Sequence, residues 1–252
     1  MKVFTVTGLT GSGKTSIIEK IVAELTARGY SVGTVKEIHN ESFRIDQEGK
    51  NTYRHRQAGA DTVTARAHHE TDVMYKGHMP IYEVLSHYTE DYIILEGVRD
   101  AVVPEIAVCK EDASPEITPL TIAVSGRFAN TPKDSYKGLP VINGLTDTAR
   151  LTDLIIEKTP ELLYDVHPEC CSLCGSDCRS FLAKCLKGEE KPENCVLKQK
   201  TVTLKMDGKE IVMVPFVQNI LKNAVLGVVQ ELKGYRKGGR ITIEFRDDGC
   251  RK

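Results

Sequence analysis

Residues 8–15, Gly8-Leu9-Thr10-Gly11-Ser12-Gly13-Lys14-Thr15, fit the pattern G-x-x-x-x-G-K-[ST] at every position and follow the apolar run Val3-Phe4-Thr5-Val6. Such a loop serves phosphate chemistry. Its glycines let backbone N–H groups converge on a phosphate, and the helix that follows aims its positive end at the same point. Gly8, Thr10, Gly11, Ser12, Gly13 and Ser16 form the expected cradle, Lys14 the cation on the β- and γ-phosphates, and Thr15 a ligand of Mg2+. A magnesium-nucleotide site also needs a carboxylate at the end of a nearby apolar strand. Glu96, closing Tyr92-Ile93-Ile94-Leu95, suits that role as metal partner and catalytic group. Lys36, at the end of another apolar run, offers a second cation. Asp46 and Glu48 are alternative metal partners, and Arg54 stands in a basic and aromatic group with His39, Arg44, Tyr53, His55 and Arg56.

A second chemistry resides in the cysteines. Six of the eight fall between Cys170 and Cys195. Cys171, Cys174, Cys178 and Cys195 provide three local thiolates and a remote one, a spacing that suits the corners of a [4Fe–4S] cluster. The segment resembles the small iron–sulfur domain of corrinoid iron–sulfur proteins in ligand order and in Phe181, Ala183, Gly188 and Cys195, with one residue fewer between the second and third cysteines. Zn2+ is the rival occupant, although zinc sites commonly show two paired C-x-x-C knuckles and only one is present. Cys170 can stand in for Cys171 as the first ligand. Cys185 reads as a packed helix residue or spare thiol, and Cys109 and Cys250 read as structural.

The elements that must position these groups alternate. A helix is expected over 16–28, ended by Gly29, then a strand over 31–36, a polar loop over 37–51 and a helix over 51–58. Strands at 62–67, 92–95, 105–108 and 120–124, a short one at Val141-Ile142, and helices over 79–88 and 148–158 complete the pattern. Alternating strands and helices imply an α/β fold, here a P-loop NTPase-type three-layer sandwich with a mainly parallel sheet. The segment 126–140 is expected as a loop over the carboxyl edge of that sheet. From about residue 200, Asp207-Gly208 marks a hairpin between strands at 201–205 and 209–214, Pro215 opens an apolar helix, and residues 240–245 offer a closing strand. The division expected is a nucleotide-binding domain over 1–160, a Cys-rich segment over 161–199 and a small α+β unit, ββαβ, over 200–252.

Composition adds exclusions. The chain has 252 residues with 34 Lys plus Arg against 35 Asp plus Glu, so no global field draws it to nucleic acid or to an acidic membrane. It has no stretch of membrane-span length and no charged leader, and a cytoplasmic location is expected. The broad apolar face of the C-terminal helix exceeds what a small unit can bury, which points to a homodimer contact.

Beyond the loop, the runs Val35-Lys36-Glu37-Ile38-His39, Ile45-Asp46-Gln47-Glu48-Gly49-Lys50-Asn51-Thr52-Tyr53-Arg54-His55-Arg56-Gln57-Ala58-Gly59-Ala60 and Ile94-Leu95-Glu96-Gly97-Val98-Arg99 resemble the molybdopterin-guanine dinucleotide biosynthesis protein B (MobB) family. Pro104-Glu105-Ile106 and Gly138-Leu139-Pro140-Val141 continue the resemblance, which covers about residues 1–160. It implies a GTP-binding protein with slow hydrolysis at most, acting with a nucleotidyltransferase that attaches a guanine nucleotide to the molybdopterin cofactor of a molybdenum or tungsten client enzyme. It also gives the 46–60 segment a candidate role at the γ-phosphate or the cofactor. The resemblance departs at Glu37 and Ile38, where a His-rich strand exit is expected and only His39 remains. With no Asn-Lys-x-Asp motif, guanine preference rests on the resemblance. Two other classes share the loop: a redox-gated nucleotide-binding adaptor that recruits an iron–sulfur enzyme, and a small-molecule kinase for which Asp46 and Arg127 could serve.

Overall fold

The computed structural model describes residues 1–131, 133–163, 175–195, 202–211, 213 and 215–244. Five parallel strands form the central sheet: β1 (Lys2–Thr7), β2 (Val32–Lys36), β5 (Tyr92–Glu96), β6 (Glu105–Cys109) and β7 (Thr121–Gly126). Their spatial order is β2-β5-β1-β6-β7. The alternation of side chains along a strand feeds both faces. Phe4 and Val6 of β1, with Tyr92 and Ile94 of β5, pack beneath helices α1 (Lys14–Ala27) and α4 (Thr148–Lys158). Ile17, Ile21 and Leu25 of α1 and Leu151 and Ile155 of α4 meet them there at 0–1% exposure, consistent with helical spacing. Val3, Ile93 and Leu95 point the other way, onto the short helix α3 (Ile81–Leu85) and onto Val98, Ala101 and Val103. Two helices on one face and a helix with its flanking loop on the other make the three layers.

Strand order then fixes the place of chemistry. β1 lies between β5 and β6; from β1 the chain passes to the edge strand β2, returns to β5, and then crosses to β6 and β7 on the other side. The loops after β1, β5 and β6 therefore open a crevice at the carboxyl edge, the position at which open α/β sheets bind ligands.

Several sequence expectations change here. The strand at Thr62–Arg66, β3, is outside the main sheet and pairs antiparallel with an unforeseen β4 (Thr71–Tyr75). β3 keeps the alternation that reveals a strand, with Val63 buried between exposed threonines, whereas β4 is mostly exposed and carries no such pattern. Helix α2 (Asn51–Gln57) precedes them, and residues 37–50 contain no regular element. The 79–88 helix contracts to α3, with Pro80 at its N-cap and Ser86 at its C-cap. The 126–140 loop holds a 3-10 turn at Arg127–Asn130 and a two-residue hairpin, β8 (Ser135–Tyr136) with β9 (Leu139–Pro140). Val141 makes only a single bridge to Val124.

Helix α5 (Cys178–Lys187) is capped by Asp177, whose carboxylate accepts from the Ser180 backbone N–H at 2.8 Å. Phe181, Leu182, Ala183 and Cys195 bury against Leu120 and Leu163, so this segment adds to the edge of the main core. Further on, β10 (Leu204–Met206) and β11 (Lys209–Ile211) form the expected hairpin, and α6 (Pro215–Val229) follows. The expected closing strand is not formed within residues 240–244. Ile241 and Ile243 there are 39% and 55% exposed, and an extended segment without a partner strand has no ladder for its N–H and C=O groups. Among the described residues, no helix is long and apolar enough to cross a membrane.

Candidate functional site: a phosphate loop ringed by cations

The loop begins where β1 ends. Gly8 sits at φ +142°, and a Cβ there would stand 2.0 Å from the Val108 carbonyl oxygen, so the chain turns out of the sheet against the backbone of β6. Gly13, in the left-handed region at φ +99°, is the N-cap of α1 and provides no side chain to satisfy the first N–H groups of the helix. Those donors are thus left for an anion. Ser12 Oγ is fully buried beneath the loop with no hydrogen-bond partner. Thr10 and Gly11 lie on the exposed side of the same turn, and Ser16 is exposed in the first turn of α1.

Lys14 folds across this concavity. Its Nζ donates to the carbonyls of Gly8 at 2.8 Å and Leu9 at 2.9 Å. Burial is the largest influence pushing its pKa below the usual lysine value; Lys36 and Arg99 push the same way, while Glu96 opposes them. Those influences describe the electrostatics of the place: three cations face one carboxylate.

Glu96 joins the two halves of the constellation. Thr15 Oγ1 donates to Glu96 Oε1 at 2.9 Å, and Lys36 Nζ reaches the same oxygen at 3.1 Å. The sequence expectations for Lys14, Thr15, Lys36 and Glu96 therefore meet in one site. A hydroxyl and a carboxylate at this separation are the hard oxygen donors that Mg2+ takes, so the residues fit a magnesium nucleotide. The Glu37 backbone N–H donates to Glu96 O at 2.9 Å, which carries the β2–β5 ladder past the strand ends and fixes the Glu96 backbone. The departure at Glu37 thus costs the sheet nothing, and its carboxylate faces His78 at 3.4 Å.

Asp46 and Arg54 do not join this group through any described hydrogen bond or ion pair. Asp46 accepts from Thr52 Oγ1 at 2.8 Å and from the Gln47 N–H at 3.1 Å. Its other oxygen, Oδ2, has Arg56 at 3.7 Å, near enough for an ion pair and too far for a hydrogen bond. Arg54 is exposed on α2. The 46–56 segment is thus cross-linked to itself.

Two residues escaped the sequence reading as site members. Arg99 lies three positions beyond Glu96, and Lys110 follows β6 directly, its Cε 3.8 Å from where a Cβ on Gly11 would stand. The signal was present in the strand ends: Lys36, Arg99, Lys110 and Arg127 place a cation at or just past the carboxyl end of β2, β5, β6 and β7. Parallel strands gather those ends at one edge.

Of the cysteine ligands expected, Cys171 and Cys174 lie outside the described residues, as do Cys170 and Cys250. Cys178 opens α5, half-buried, and Cys195 is buried. Cys185 packs beside the apolar cluster that includes Cys195. Burial, and then Glu190, Glu193 and Cys195, raise the Cys185 pKa, in keeping with a packed thiol. Among the described residues, no group of three or more His, Cys, Asp or Glu side chains could hold a metal ion.

Comparison with known proteins bears on the same region. The profile of the family described as "Molybdopterin guanine dinucleotide synthesis protein B" matches residues 3–125. A Methanocaldococcus jannaschii protein, provisionally named a molybdopterin-guanine dinucleotide biosynthesis adapter protein, is 29% identical over 253 residues, 97% of each chain. The Haemophilus influenzae adapter protein of that name is 28% identical over 131 residues, 49% of this chain and 73% of its own. The crystal structure of Bacillus subtilis MobB superposes with a TM-score of 0.52 at 23% identity, covering 64% of this chain and 99% of that one, a likeness of fold.

Proposed function

We propose, for a chain whose residues 3–125 match the profile of the molybdopterin guanine dinucleotide synthesis protein B family, a GTP-binding adapter that assists formation or delivery of the guanine dinucleotide form of the molybdenum or tungsten cofactor. The observation that carries this reading is the Thr15–Glu96 contact at 2.9 Å, with Lys14 and Lys36 on either side. Loop N–H groups and Lys14 hold the phosphates, while Thr15 and Glu96 hold Mg2+, which when bound offsets phosphate charge. Lys14 exchanges its two carbonyl partners for phosphate oxygens. Glu96 Oε1 is shared by Thr15 and Lys36, an arrangement suited to holding a metal and a positioned water with slow turnover. Slow turnover suits a protein whose nucleotide state governs docking to a nucleotidyltransferase.

The reading extends to the cysteines. Cys171, Cys174, Cys178 and Cys195 are proposed ligands of a [4Fe–4S] cluster, with Zn2+ as the alternative occupant, and α5 bound to the main core gives two of them a fixed base. The exposed apolar residues Phe216, Val217, Ile220 and Val228 of α6 support a homodimer contact. The division into residues 1–160, 161–199 and 200–252 belongs to the same proposal.

The test is calorimetric titration of GTP in Mg2+ with the wild type and Lys14→Ala, followed by phosphate release with and without the nucleotidyltransferase. Saturable binding lost in Lys14→Ala is expected. Wild-type protein that binds no GTP would sink the reading. Anaerobic purification with iron, sulfide and zinc analysis tests the cysteines: about four irons with matching sulfide are expected. About one zinc makes the segment a structural staple.

A further inference from the structure

Beyond α6 the chain carries a charge pattern that the phosphate loop does not use. Residues 232–241, Leu232-Lys233-Gly234-Tyr235-Arg236-Lys237-Gly238-Gly239-Arg240-Ile241, hold four cations and no carboxylate, in a protein whose net charge is -1. Two tight turns follow one another there. The Tyr235 N–H donates to Leu232 O at 3.2 Å, and the Gly239 N–H to Arg236 O at 3.1 Å. The third residue of each turn is a glycine at positive φ, Gly234 at +102° and Gly238 at +83°, where a turn of this kind requires one. Two turns in succession fold the segment back on the end of the helix, so that Ile241 returns to Val229 and Leu232.

The fold-back leaves a cleft of about 390 Å3 with walls of two kinds. Val229, Leu232 and Ile241 form an apolar side, and Lys233, Arg236 and Arg240 a cationic one. Leu232 and Ile241 are 59% and 39% exposed, apolar surface that an occupant takes out of water. Among the described residues, none of the three cations has an ion-pair partner.

That pairing of walls selects a ligand. A cationic ligand is repelled, an uncharged ring gains nothing from the arginines, and an inorganic anion gains nothing from Leu232 and Ile241. A carboxylate offers two acceptor oxygens. A phosphate monoester offers three and carries about two negative charges, which matches two guanidinium forks and an ammonium. A protein cavity of about 150 Å3 accepts one benzene, so this cleft has room for a fused pair of rings together with a phosphate.

We propose that the cleft is an organic-phosphate site that takes a phosphate monoester on a planar aromatic body. Arg236, Arg240 and Lys233 hold the phosphate, and Val229, Leu232 and Ile241 cover the ring. The site shares no residue with the phosphate loop, and the proposal does not rest on the nucleotide reading.

The test is a fluorescence titration of 1-naphthyl phosphate into the full chain, with GTP and Mg2+ in excess so that the phosphate loop is filled. Saturable binding is expected, about 10-fold tighter than that of 1-naphthol or, by competition, of inorganic phosphate. Arg236→Ala and Arg240→Ala should each weaken it about 10-fold, with the loss larger at low salt, and leave GTP affinity unchanged. Ile241→Asn, on the apolar side, should bring naphthyl phosphate toward the affinity of inorganic phosphate. All three positions are exposed, and an unchanged urea midpoint checks that each variant folds. The proposal is overturned if wild-type protein takes up no naphthyl phosphate, if both arginine variants bind it as the wild type does, or if GTP abolishes the binding, which then belongs to the phosphate loop. Wild-type protein that binds phosphatidylserine vesicles and not naphthyl phosphate also overturns it, in favour of a lipid surface. Protein that binds naphthyl phosphate and no GTP keeps this proposal and loses the nucleotide reading.

Discussion

Gly8→Ala and Gly13→Ala together test whether the phosphate loop is held by contact with the sheet or by its own backbone conformation. Both glycines have positive φ, at +142° and +99°. Each alanine therefore carries a backbone strain of about 1–3 kcal/mol. Each also restricts the unfolded chain by a similar amount, about 0.4–1 kcal/mol in the stabilising direction, which cancels in the comparison. The surroundings differ. A Cβ at Gly13 meets nothing within 4 Å, whereas one at Gly8 stands 2.0 Å from Val108 O and 3.0 Å from Val108 C. Carbon and carbonyl oxygen ordinarily approach no closer than about 3.3 Å, so the loop or β6 must give way by more than an ångström. Overpacking of a rigid site adds about 1–3 kcal/mol. Gly8→Ala is therefore expected to cost more than Gly13→Ala by that margin in urea unfolding, read as a lower midpoint at unchanged slope. It should also weaken GTP further, because a displaced loop aims its N–H groups off the phosphate. Equal midpoints for the two variants would refute the claim that contact with Val108 holds the loop.

Three further outcomes are expected. Glu96→Gln, which removes the charge facing Thr15 and Lys36, should weaken GTP in Mg2+ and change binding little in EDTA, a contrast titration in the two buffers reads directly. Leu151→Ala, at 0% exposure between α4 and the sheet, should cost about 2–5 kcal/mol in urea unfolding and leave GTP affinity at the undisturbed loop unaltered. Asp91 accepts from the backbone N–H and hydroxyl of Ser31, which hold its pKa below the ordinary 3.8. Its contribution to stability is present above that ordinary value and lost as pH falls through the lowered one, so Asp91→Asn should flatten the acid limb of a Tm-against-pH curve and leave its slope above pH 5 unchanged.

Local features were legible because their causes are local. The strand-loop-helix unit of β1, residues 8–13 and α1 followed from a run of apolar residues, the glycine spacing and a helical period, and α4 was read at its observed bounds, Thr148–Lys158. The sheet strands were legible because parallel strands buried on both faces are continuously apolar. β4 escaped for the converse reason: mostly exposed, it bears no apolar alternation, whereas its partner β3 does.

The α/β class, the phosphate-loop motif and the residue types that could serve it, Lys14, Thr15, Lys36 and Glu96, were legible in the chain alone. Packing of the strands settles the rest: Thr15 and Glu96, 81 positions apart, share a hydrogen bond, Lys36 reaches the same oxygen, and Asp46 turns instead to Thr52 and Arg56. Arg99, Lys110 and Glu116 likewise come to line one slot. The physical reason is strand order. Backbone conformation and helical period are dictated by neighbours in the chain, whereas placing β1 between β5 and β6 results from burying both faces of a sheet at once, and that placement alone selects which strand ends meet.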